Sequence, residues 1–111
     1  MADSFQRKPG GVVVVQIVEN WSDIEGEVKA SHPSDVPGSV SIRILVTKVS
    51  SVEGFSNLLA DAEGTTVEVN APEDLASDRG VRAGVTIRCR VRRAGPKNIF
   101  LHPEQLVVSN A

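Results

Sequence analysis

Apolar residues along this chain either alternate with polar ones or gather in short β-branched runs, and Gly, Pro, Ser and Asp separate the runs. A period of two over about four to eight residues is the pattern of half-buried strands. It predicts strands over residues 11–18, 26–30, 40–50, 56–62, 65–70, 85–93 and 98–108. Pro103 brings no amide donor to the last of these and predicts a break or bulge there. The run 40–50 places Val40, Ile42, Ile44 and Val46 on one face, and its second half adds Leu45, Thr47 and Val49 on the other. A strand that becomes apolar on both sides midway suits a bent strand shared by two halves of a closed sheet.

One helix is predicted, about two turns between residues 70 and 80. Pro72 fits its first turn, Asn70 or Ala71 its cap, Glu73 and Asp74 its positive end, and Gly80 its left-handed stop. Asp61-Ala62-Glu63-Gly64 reads as a tight hairpin joining two strands. Ser31-His32-Pro33-Ser34-Asp35-Val36-Pro37-Gly38 reads as a surface connection, dividing an N-terminal strand arm (residues 1–38) from the main body (residues 39–111).

Over the main body the order is bent strand, strand, hairpin, strand, short helix, strand, loop, strand. The run Val40-Ser41-Ile42-Arg43-Ile44-Leu45-Val46-Thr47-Lys48-Val49, followed by Asn57-Leu58-Leu59-Ala60-Asp61-Ala62-Glu63-Gly64-Thr65-Thr66-Val67-Glu68-Val69, resembles nucleic-acid-binding domains of the oligonucleotide/oligosaccharide-binding (OB) superfamily. The resemblance implies an all-β, five-stranded Greek-key barrel with one short helix between strands three and four, carrying the N-terminal β arm as an addition. Ala71-Pro72-Glu73-Asp74-Leu75 with Gly80-Val81-Arg82-Ala83-Gly84-Val85-Thr86-Ile87 is also similar to the helix-to-strand passage of TOBE and molbindin domains. That second likeness implies a small-ligand or oxyanion-binding barrel, although the first-strand oxyanion motif of those domains is not evident here.

Composition narrows the class. At 111 residues the chain is the size of one domain, 41% hydrophobic and 23% charged, and no apolar run approaches the length of a membrane-spanning helix. A single cysteine, Cys89, forms no internal disulfide, and the interrupted run 12–18 makes a poor signal peptide, so a cytoplasmic location is expected. The net charge of -2 argues against a nucleic-acid binder until it is divided. Residues 1–78 hold five basic and thirteen acidic side chains, whereas residues 79–111 hold seven basic and one acidic.

Most of that positive charge sits on one strand. Period two turns Val85, Ile87, Cys89 and Val91 inward and sets Arg88, Arg90 and Arg92 in an outer stripe, with Arg93 and Lys97 expected at the following Gly95-Pro96 turn. In the OB arrangement this strand and the loop after it flank the groove where single strands bind, and guanidinium forks suit phosphate. The candidate nucleic-acid-binding set is therefore Arg88, Arg90, Arg92, Arg93 and Lys97, joined by Arg43 and Lys48 from the bent strand and Phe55 as a stacking residue. The expected groove floor, Asn57, Leu59, Asp61, Thr66, Glu68 and Asn70, holds no aromatic, so weak, salt-sensitive binding is expected. A competing reading pairs the stripe with Glu19, Asp23, Glu25 and Glu27 of the arm, as internal compensation. Phe100 and His102 share an outward face, and Trp21 is expected to pack over an end or edge of the barrel.

No phosphate loop, nucleophile elbow, paired-acid constellation or metal-ligand spacing is present. The expectation is a small non-enzymatic binding module without cofactor or metal, whose first ligand is single-stranded DNA or RNA. The alternative is a protein-interaction or assembly subunit that pairs, even with a second copy of itself, through the strand 11–18.

Overall fold

The computed structural model describes residues 19–95 and 98–109. Five strands and one short helix follow one another as β1 (Ser22–Pro33), β2 (Ser39–Ser51), β3 (Thr66–Pro72), α1 (Glu73–Asp78), β4 (Thr86–Arg93) and β5 (Ile99–Ser109). The sheet closes on itself in the order β1-β2-β3-β5-β4, with β4 returning to β1. All pairings are antiparallel except β3 with β5, which meet in parallel at the single pair Asn70↔Phe100.

Alternation fills the ring. Ile24 and Val28 of β1, Ile42, Ile44 and Val46 of β2, Val69 of β3 and Ile87 and Val91 of β4 are each at most 1% exposed. Burying each such side chain contributes roughly 1.5–3 kcal/mol, and with no disulfide this core is what holds the domain. The bent-strand reading of 40–50 agrees with β2, whose ladder with β1 shifts register at Glu25/Gly26 and again at Val28/Ala30. At Gly26 a Cβ would lie 2.2 Å from the Leu45 carbonyl oxygen, so a bare backbone is what lets β1 cross β2 this closely.

Two expectations change. Part of the segment read as a separate arm is β1 itself, hydrogen-bonded on both sides in the ring, and the strand expected at 26–30 runs from Ser22 to Pro33. The strand 11–18 lies outside the described residues. No strand forms over 56–62, so there is no hairpin at 61–64; turns run through the stretch instead. Asn57 Oδ1 accepts from the Leu59 amide, and the Ala62 amide donates to Leu59 O. A side chain that satisfies the backbone locally competes with a ladder, and Leu59 and Ala62 are buried three residues apart rather than alternately.

The helix is one residue past its expected cap. Pro72 ends β3 and precedes α1, Glu73 and Asp74 occupy the first turn, and Gly80 (φ 70°) follows the helix as expected. Pro103 marks the expected irregularity: His102 to Gln105 have no cross-strand partner on β4, and the ladder shifts between Cys89 and Val91. No described helix is long and apolar enough to cross a membrane.

Candidate nucleic-acid interface

The outer face of β1, β4 and β5 collects the arginine stripe. Alternation along β4 buries Ile87, Cys89 and Val91 and leaves Arg88, Arg90 and Arg92 outside, as expected. Across the ladder to β1, Arg90 stands opposite Asp23, Arg88 opposite Glu25, and Thr86 opposite Glu27. Arg90 donates to Asp23 through Nε (2.8 Å to Oδ1) and Nη2 (3.2 Å to Oδ2). This two-pronged contact raises the Arg90 pKa, chiefly through the hydrogen bond to Asp23. Glu25 also stands opposite Lys48 of β2, and Lys48, Ser50, Arg88, Asp23 and Glu25 line one shallow depression of about 290 Å³. Glu27 pairs with Lys29 (3.1 Å) instead of with the stripe.

The upper end of the stripe has aromatic neighbours. Arg92 stands opposite Phe100, its guanidinium carbon 5.6 Å from the ring centroid. Trp21 and His102 face each other with ring centroids 5.1 Å apart and planes tilted by 54°. Because β4 lies between β1 and β5, that ring pair reaches across the arginine strand from Trp21, just before β1, to His102 on β5. His102 is oriented by Nδ1, which accepts from the Glu104 amide at 3.1 Å. Beside it, the unpaired residues around Pro103 open a hollow of about 190 Å³ in front of Arg90, lined also by Glu104 and Gln105.

Other members of the expected set stand elsewhere. Arg43 of β2 belongs to a different cluster, 3.3 Å from Glu68 of β3. Arg93 follows the inward parity of Val91; its amide donates to Asn20 Oδ1 and its carbonyl accepts from Asn20 Nδ2, so it is set apart from the stripe. Phe55, 38% exposed, sits in the β2–β3 connection and meets none of the described arginines in a ring contact. Lys97 lies outside the described residues. The structure thus brings together Arg88, Arg90, Arg92 and Lys48, and adds Trp21, Phe100 and His102.

The chain matches no known family model, curated protein or solved structure.

A second polar region lies between the ends of β1, β3 and the loop before β5. A cleft of about 620 Å³ is lined by His32, Ser34, Ser41, Glu68, Asn70 and Asn98, among others. Glu68 organises it: Ser41 donates to its Oε1 at 2.8 Å, Arg43 to its Oε2 at 3.3 Å, and His32 approaches to 3.7 Å. Its carboxyl is held below the ordinary range, first by the Ser41 hydroxyl, with Arg43 and His32 contributing and burial opposing. Ser34 donates to Asn70 across the same cleft. With its cations engaged by a carboxylate, this cleft is suited to neutral hydrogen-bonding groups more than to phosphate. Among the described residues, no group of three or more His, Cys, Asp and Glu is placed to hold a metal ion.

The expected groove floor also moves. With 56–62 in turns, the outward positions beside this cleft come from Ser41 and Arg43 of β2 and from Glu68 and Asn70 of β3. Trp21, expected to pack over an end or edge, is half-buried and lies against the His102 ring. It precedes β1 with the odd parity of Asp23, Glu25 and Glu27, the outward positions of that strand.

Proposed function

We propose that this chain is a small, non-enzymatic binding module of the OB type that takes single-stranded DNA or RNA on the outer face of β1, β4 and β5. The ring order β1-β2-β3-β5-β4, with α1 between β3 and β4, supports the OB reading. The observation that carries the ligand is Arg92 over Phe100 beside the Trp21–His102 pair. Single-strand readers combine cations that follow the backbone with flat rings on which bases stack, each stack contributing about 1–3 kcal/mol. Trp21 and Phe100 supply the rings, Arg92 and Arg88 the charges with no ion-pair partner among the described residues, and Arg90 a charge already shared with Asp23. Cytoplasmic residence belongs to the same proposal.

Trp21 is the sole tryptophan, so its fluorescence reports on the site directly. Titration with an unstructured oligonucleotide at low salt quenches it, and the affinity falls steeply with added salt. Arg90→Glu/Arg92→Glu abolishes binding, and a polyphosphate without bases binds more weakly than the oligonucleotide. No quenching and no binding at low salt would remove the proposal. A protein-interaction role is the second reading, favoured by Phe55 and Leu58, which stand 38% and 45% exposed in one connection. A single monomeric species at high concentration would count against self-association.

A further inference from the structure

We infer that the hollow in front of Arg90 reads a guanine base of the bound strand, with the Glu104 carboxylate selecting it, a preference that rests on the single-strand reading. The hollow opens where β5 outruns its partner. Between the pairs Cys89↔Leu106 and Val91↔Leu101, β4 contributes only Arg90, whereas β5 contributes His102, Pro103, Glu104 and Gln105. Such bulges re-aim side chains and are common beside functional sites. Pro103 brings no amide donor to the ladder, and the Glu104 amide donates to His102 Nδ1 at 3.1 Å, which ties the bulge to the ring that packs against Trp21. At about 190 Å³ the hollow is smaller than the roughly 300–1,000 Å³ of sites that enclose a whole small molecule, so it takes a base and leaves sugar and phosphate outside.

The polar groups around it divide into those already engaged and those still open. Asp23 and Arg90 satisfy each other through their two-pronged contact. The side chains of Arg88 and Glu104 are exposed and have no hydrogen-bond or ion-pair partner among the described residues. A base entering the hollow therefore meets one open carboxylate from β5 and one open guanidinium from β4. Val107, 50% exposed and opposite Arg88 in the ladder, adds an apolar wall.

This pair of open groups sets the base. An ionised carboxylate only accepts, and its two oxygens take two parallel N–H groups. Guanine alone among the nucleic-acid bases carries two such donors side by side, N1–H and the N2 amine. Adenine, cytosine, thymine and uracil each set an acceptor beside their donor, which would turn a lone pair toward the second Glu104 oxygen. The O6 and N7 acceptors on guanine's other edge are what an arginine fork meets best, and Arg88 is the arginine left open beside Glu104.

Titration of the full chain with a short oligothymidylate, and with the same strand carrying one central guanine, tests the inference through Trp21 fluorescence. The guanine strand is expected to bind about fivefold tighter or more, the discrimination of one bidentate base contact at the low end because the hollow is open to water. Hypoxanthine in place of guanine lacks the N2 amine and loses part of that preference. Glu104→Gln leaves the main-chain bond to His102 in place and brings the ratio of the two affinities close to one; reading the ratio cancels any change in overall charge attraction. Equal affinity for the two strands, a ratio unchanged in Glu104→Gln, or an equal gain from a central adenine or cytosine would each overturn the base reading while the single-strand proposal stands. Binding of neither strand would remove both.

Discussion

Replacing Asp23 by Asn separates two roles that the Asp23–Arg90 pair plays at once. Both side chains are about a third exposed, 33% and 31%, so water screens the pair and its contribution to stability is about 1 kcal/mol despite the two-pronged geometry. Asp23→Asn should therefore lower the melting temperature by roughly 4 °C. Its effect on the proposed function has the opposite sign. A phosphate that takes Arg90 must first displace Asp23, and removing that competitor returns the same ~1 kcal/mol to binding, about a fivefold gain in affinity at low salt. Freeing one cation for the backbone also steepens the dependence of log affinity on log salt by about 0.7. Titration followed by Trp21 fluorescence at several salt concentrations, beside a thermal melt, measures all three quantities. If the variant melts lower but binds no tighter, Arg90 does not contact the ligand and the stripe serves the fold alone.

Other outcomes follow from local geometry. Gly26→Ala forces a methyl group onto the Leu45 carbonyl and to 2.8 Å from Ile44 Cγ2, neither of which is a flexible side-chain end, so a loss of about 3 kcal/mol and a melting temperature lower by about 12 °C are expected in thermal circular dichroism. Glu68, with its pKa held down in the folded state, contributes stability that is complete above the ordinary carboxylate pKa and is lost as pH falls through its depressed folded value. Carbon-detected titration should place Glu68 below the ordinary glutamate value, and Ser41→Ala should raise it; no rise in that variant would deny the hydroxyl its part. Burial, with a smaller contribution from Asp23, pushes the Cys89 thiol up to about 12, so a thiol-specific reagent at neutral pH should label the unfolded chain and leave the native one unmodified over the same interval.

The sequence was most legible where alternation involves large side chains. Val40 to Val46, Val85 to Val91 and Val67 to Ala71 read as strands because every second residue is a β-branched or small apolar one facing the core. It misled where a different physical demand governs the same positions. The inward face of β1 is Ser22, Ile24, Gly26 and Val28, half of it small or polar, because β1 crosses β2 too closely for a side chain at Gly26. No hydropathy pattern announces that, and the strand shrank to 26–30 in the sequence reading. Over 56–62 the error ran the other way: Leu58, Leu59, Ala60 and Ala62 look strand-like, but Asn57 bonds the local backbone and opens a turn. At the site, the stripe was visible from parity alone. The Arg92–Phe100 contact needed the register across the Pro103 irregularity, and the Trp21–His102 contact needed β1 in the ring.

Placing β1 beside β4 also decides what the basic third of the chain can select. Three carboxylates on β1 face outward, and two of them, Asp23 and Glu25, stand opposite Arg90 and Arg88. A simple polyanion meets these carboxylates as well as the arginines, and much of its Coulomb attraction is cancelled at the distances of one cross-strand pair, well inside the Debye length of about 8 Å at physiological salt. Arg92 differs because the β1–β4 ladder ends at Ser22↔Val91, so it stands opposite no β1 carboxylate, and its β5 neighbour is Phe100. The stripe's one arginine without a carboxylate opposite it on β1 therefore sits where the rings are. A ligand gains most on this face by offering a flat apolar group and a negative group a few ångströms apart, which is the repeating unit of an unpaired nucleic-acid strand; a duplex hides the first behind the second.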